Sequence, residues 1–204
     1  MEKYELTSET KVINGVELHR IKALNSFGNI KKGELGGWIE SKKNLSQDGG
    51  SWVYDNAMVF GNAKACDNAT VFRNAWVSGN AVVGGNAVVS GHAWVGGHAM
   101  VRGDASVEEN ATVEENAWVY GNARVGGDAT VRGKEDFIVF KNWWSSGRFF
   151  TWTRSNNKWK VGCFYGSGEE LIAKAYKDSE KSGREYERVV KYVESILQEE
   201  NNNK

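Results

Sequence analysis

Residues 79–107 read GNAVVGGNAVVSGHAWVGGHAMVRGDASV, nearly the same six-residue phrase five times over. Extending the register in both directions places Ala at every sixth position from Ala57 to Ala129, thirteen times without a slip. Val follows two residues later in each copy except at Ala65, and Ser51 with Val53 makes an imperfect first copy. The residue before each Ala is Asn, His or Asp, usually preceded by Gly. Side chains alternate across an extended chain, so Ala and Val two apart point the same way. Each hexad is therefore a very short strand with a small-then-branched inner face. The Gly-Asn pair tolerates left-handed backbone angles and marks a corner. Strand, corner, strand, corner describes a coil whose turns stack and bury little alone.

Composition agrees with a narrow coil. No Leu or Ile occurs between Asp48 and Val131, as an interior too tight for anything bulkier than Val requires. The chain has no Pro, which suits a ladder in which every coil must donate to its neighbour. Corner Asn residues are expected to stack between coils and satisfy one another's amides.

The Val-x-Gly-Asn-Ala-x phrase resembles the hexapeptide repeat of left-handed parallel β-helix proteins, in which three hexads complete a triangular coil of 18 residues. GELGGWIESKKNLSQDGGSWV, residues 33–53, is similar to the lead-in of hexapeptide arrays in bacterial and phage proteins. The resemblance implies four to five coils over residues 51–133, stacked at ~4.8 Å. It also implies a left-handed sense. Several members of that family are trimeric acyltransferases that use a histidine as general base, cover the acyl donor with a loop breaking the hexads, and bind coenzyme A between subunits.

Three segments are expected: a β cap over 1–50, the repeat over 51–133, and a module over 134–204. In the first, Asn14-Gly15 is a type I′ hairpin signal, and a cap would shield the open end of the coil. After Gly133 aromatic residues crowd in with Lys and Arg, and RFFTWTRSNNKWKVGCFYG, residues 148–166, reads as a hairpin turning at 155–157. From Glu169 the spacing is helical, with Gly183 expected to divide two helices.

Twenty-six basic and 26 acidic residues cancel, removing a whole-chain attraction to nucleic acid or anionic membrane. The charged start and the want of a long apolar run point to a cytoplasmic protein, in the host cytoplasm if viral. The two cysteines, Cys66 and Cys163, show no metal-type spacing, and no metal or cofactor is expected. His92 and His98 hold the corner register of Asn, each between two Asn residues 18 away, and read as substitutes in the amide ladder. An acyltransferase using His92 or His98 with coenzyme A is the alternative.

Outward rows offer a second candidate: Trp76 and Trp94 on one face, and Val82, Met100 and Trp118 on another, would form a trimer or dimer interface. A third is the tail, where Trp143, Trp144, Arg148, Trp152, Arg154 and Lys158 could stack on and neutralise a small anionic or nucleotide ligand. The expected function is a non-catalytic, oligomeric β-helix scaffold or binding protein. One version is a phage-type accessory protein that captures a host factor or small nucleotide signal.

Overall fold

The computed structural model describes residues 2–202. Strands β1 (Tyr4–Ile13) and β2 (Val16–Ala23) pair as an antiparallel hairpin, with Ile13 opposite Val16. Asn14 and Gly15 both adopt positive φ, 50° and 80°, as a type I′ turn demands. Strand β3 (Leu35–Ile39) pairs antiparallel with β2 and parallel with Met58–Val59, so the cap sheet runs directly into the repeat.

Fourteen two-residue strands follow, from Trp52–Val53 to Thr130–Val131. Each pairs in parallel with the strand 18 residues away: Trp94 lies beside Trp76 and Thr112, and Met100 beside Val82 and Trp118. Three flat faces result, and every third hexad returns to the same one. Each Ala from Ala57 to Ala129 and each following inward residue is fully buried, forming one continuous core. Every inward Val contributes about 1.5–3 kcal/mol by leaving water. The ladder between coils takes two donors per strand and one per corner, as in Trp76 N to Ala93 O at 2.9 Å, Ser78 N to Val95 O at 2.9 Å and Asn80 N to Gly97 O at 2.7 Å. A proline at any of these positions would delete a rung, which accounts for its absence.

Both open ends are closed by the chain itself. At the first coil, Trp52 is buried edge-on to Tyr4 and Phe27, and the Tyr4 hydroxyl donates to Leu45 O at 2.7 Å. At the last, the tail forms a four-stranded antiparallel sheet, Phe137–Lys141, Phe149–Thr153, Lys158–Val161 and Phe164–Gly166. The expected hairpin is its central part. Phe137 and Val139 pack on the repeat core. Arg124 N and Thr130 N, which in a longer coil would meet carbonyls of the next turn, donate instead to Thr151 Oγ1 at 2.9 Å and Ser155 Oγ at 2.8 Å.

The other side of the tail sheet carries helices α1 (Gly168–Asp178) and α2 (Glu180–Asn202). A reciprocal pair of bonds starts α1: Ser167 Oγ accepts from Glu170 N at 3.2 Å, and Glu170 Oε2 accepts from Ser167 N at 2.7 Å. The helices divide at Ser179, whose backbone is extended, and not at Gly183. Gly183 lies inside α2, where a Cβ would sit 2.3 Å from the Tyr176 ring, so it serves the close approach of the two helices. No helix among the described residues is long and apolar enough to cross a membrane.

Candidate functional site

The corners come first, because both histidines occupy them. The residue ahead of each corner Asn, His or Asp has positive φ, whether Gly, as at Gly79 and Gly97, or not, as at Arg73 and Glu115. Side chains one position on stack up the outside: Asn62 Nδ2 donates to Asn80 Oδ1 at 3.1 Å, and Asn68 to Asn86 to Asp104 at 3.3 and 2.9 Å. His98 Nε2 lies 3.4 Å from Asn80 Nδ2, a rung of that ladder. His92 keeps the same register but has no side-chain hydrogen bond to Asn74 or Asn110 among the described residues. The two histidines stand at different corners of the coil, so they do not share a site.

The outward rows grade from covered to open. On the first face Trp38 and Met58 are buried with Leu18, and Trp76 is half-buried, edge-on to Phe60. Trp94 is 39% exposed, its Nε1 donating to Ser78 Oγ at 3.0 Å. On the second face Val82 and Met100 are half-buried and Trp118 is 58% exposed. The helices do not cover these rows; they pack on the tail sheet.

The tail aromatics mostly face inward. Trp144 and Trp152 are buried with Phe150, Trp159, Tyr186 and Val190, where they hold the helices to the sheet. The Trp152 Nε1 donates to Asn157 Oδ1 at 2.8 Å. Arg154 bonds Glu200 at 2.6 Å and Glu135 O at 2.9 Å. Trp143 and Arg148 are exposed and Lys158 half-buried, so the six residues named from the sequence do not gather around one opening.

Aromatic rings and a cation do meet elsewhere. Trp118 and Tyr120 flank inward-facing Val119 and stand on the same outer side, with Tyr120 64% exposed. The tail strand Phe137–Lys141 overhangs them, and a cleft of about 830 Å³ opens between, also lined by Lys134, Phe149 and the amides of Asn116 and Asn122. A smaller recess of about 340 Å³ lies beyond the same two rings, against Met100 and Arg102 of the preceding coil. The sequence held half of this signal, in the W-V-Y spacing at 118–120. The overhanging wall comes from residues 14 to 31 positions downstream and needed the fold.

These features define a parallel β-helix repeat protein closed by its own caps at both ends, with rings exposed on its lateral faces. Residues 66–79 match the YdcK Beta solenoid repeat family. The chain is 33% identical over 63 residues to a protein named "Uncharacterized acetyltransferase YdcK" from Escherichia coli (strain K12), a match covering 27% of this chain. The matched segment spans 19% of that relative's length.

Proposed function

We propose that the chain is a non-catalytic β-helix scaffold that associates with further copies of itself and binds a small ligand. One observation carries this reading: the uninterrupted coil leaves Trp94 open on its first face, in line with the half-buried Trp76, and monomeric proteins rarely leave such an apolar row uncovered. Native mass spectrometry at micromolar concentration tests it. A dimer or trimer that weakens in Trp94→Arg supports self-association, whereas a monomer throughout would sink it.

The second reading is acyl transfer from coenzyme A thioesters, with His92 or His98 as base. Similarity to a relative named as an acetyltransferase favours it. The unbroken run of hexads weighs against it, because no inserted loop is present to cover an acyl donor. Release of free coenzyme A from acetyl-coenzyme A, abolished by His98→Ala or His92→Ala with the β-sheet circular dichroism unchanged, would establish the enzyme.

A further inference from the structure

We infer that the cleft between the repeat and the tail, walled by Trp118 and Tyr120, is a binding site for a planar ring that carries negative charge, the chemistry of a nucleoside monophosphate. The inference gives the small-ligand half of the reading above its site and ligand class and rests on that half, but it does not depend on self-association.

The rings supply the first argument. Trp118 and Tyr120 expose most of their faces on the one stretch of the second face that also has a roof, and Phe137 and Phe149 line the same cleft. Its volume of about 830 Å³ falls within the ~300–1,000 Å³ span of small-molecule sites. Ring stacking on such walls is insensitive to base identity, since every base has a π-face.

Charge supplies the second. Lys134 lines the cleft, and it has no ion-pair partner among the described residues. Arg102 lines the recess on the far side of the rings; among the described residues no carboxylate lies at ion-pair distance from it, although Asp67 is near enough to feel its charge. Neither depression is lined by an Asp or Glu, although acidic residues are as numerous as basic ones in the chain. A neutral sugar or an aliphatic chain would give Lys134 nothing to neutralise, whereas a phosphate on a stacked base would. The amides of Asn116 and Asn122 border the cleft and can bond the edge of a base or a ribose hydroxyl.

The test is calorimetric titration of the full chain with each of the four common ribonucleoside monophosphates, with adenosine, and with inorganic phosphate, beside native mass measurement of every variant. We expect at least one nucleotide to bind at one per chain, more tightly than adenosine, with no binding of phosphate alone. Trp118→Ala should weaken binding roughly five- to 150-fold, the span measured for losing one stacked base. Lys134→Ala should weaken it and flatten its salt dependence, Lys134→Arg should restore it, and neither should change the oligomer mass. The inference is overturned if no nucleotide binds at millimolar concentration, or if Trp118→Ala and Lys134→Ala bind as the parent does. It is equally overturned if Trp118→Ala alters only the oligomer mass, which would make a second copy the occupant.

Discussion

At the scale of single residues, the corners decide what the repeat tolerates. Each corner needs one left-handed residue, which costs a side chain about 1–2 kcal/mol, and glycine fills most of them. At three of the four corners held by Asp or Glu the carboxylate reaches the N–H one coil up: Asp55 accepts from Arg73 N at 3.0 Å, Asp67 from Gly85 N at 2.8 Å and Glu109 from Gly127 N at 2.5 Å, while Glu115 pairs with Arg132 at 3.5 Å. That bond from Gly85 holds the Asp67 carboxyl below the usual carboxylate range. The glycines themselves differ. A Cβ on Gly91 would meet Glu109 O at 2.6 Å, while one on Gly121 would meet nothing within 4 Å. Both Gly91→Ala and Gly121→Ala should therefore destabilise by about 1–2 kcal/mol for the backbone angle, and Gly91→Ala by a further ~1–3 kcal/mol for the clash. Denaturant midpoints measure the gap, and equal losses would show that the coils spread freely. Lys3 tests burial of charge. Its Nζ is enclosed beneath the first coil, donating to Ser51 O at 3.0 Å, and burial pulls its pKa down to about 8. An unfolded lysine titrates near ~10.4. Between those values the unfolded chain binds more protons, so Lys3 makes stability rise with pH. Relative to Lys3→Met, the parent should gain stability from pH 8 to 10 in thermal melts, and parallel curves would refute the burial.

At the scale of elements, the tail acts as the last coil's substitute partner, and one lysine secures it. Lys160, nearly buried, reaches Glu109 at 2.8 Å and Glu108 at 3.7 Å, and Glu108 also accepts from Arg124 at 2.9 Å. The Lys160 hydrogen bond, ahead of the one from Gly127, holds the Glu109 carboxyl below its ordinary range, and bonds from Tyr165 and Asn156 do the same for Asp128. Such depressed carboxyls stabilise above their unfolded pKa and lose that contribution as pH falls through the folded value. Lys160→Met should cost about 1–2 kcal/mol, less than breaking a fully enclosed pair because Glu109 touches solvent. Hydrogen exchange should quicken in Phe149–Thr153 and Lys158–Val161 while the middle coils stay protected; uniform quickening would mean that the tail and repeat unfold as one. How far each element was legible follows from the same physics. The hexads declared themselves because a fixed period fixes which way each side chain points. The strand Phe137–Lys141 did not, because its four half-buried residues lie against both the repeat and the helices and show no alternation. Gly183 misled for a related reason: glycine in a helical pattern signals a break or a close packing partner, and only Tyr176, on the other helix, distinguishes the two. The cleft was half-legible, its inner wall in W-V-Y and its outer wall in a strand whose place only tertiary packing fixes.

At the scale of the whole molecule, the repeat is a one-dimensional stack, so its length and its phase are separable properties. The N-terminal cap contacts the repeat through residues up to Trp76, and the tail reaches back to Glu108 and Glu109. The coil between is held to its neighbours through backbone rungs and inward Ala and Val. Removing residues 79–96 deletes 18 positions, joins Ser78 to Gly97, and leaves every surviving hexad on its original face, since pairing partners sit 18 apart. That variant should fold, with one cooperative transition at a lower temperature than the parent, because one coil's burial is lost and no new defect is made. Removing residues 79–87 deletes nine, half of that length, and sets corner positions against strand positions on the far side of the cut. Inward Ala and Val would then meet the corner register, leaving rungs unmade and polar corner side chains turned to the core. Circular dichroism and thermal melting of the two variants separate the cases. A folded 18-residue deletion beside an unfolded nine-residue deletion is the expected result, and failure of both would mean that the caps require the full count of coils between them.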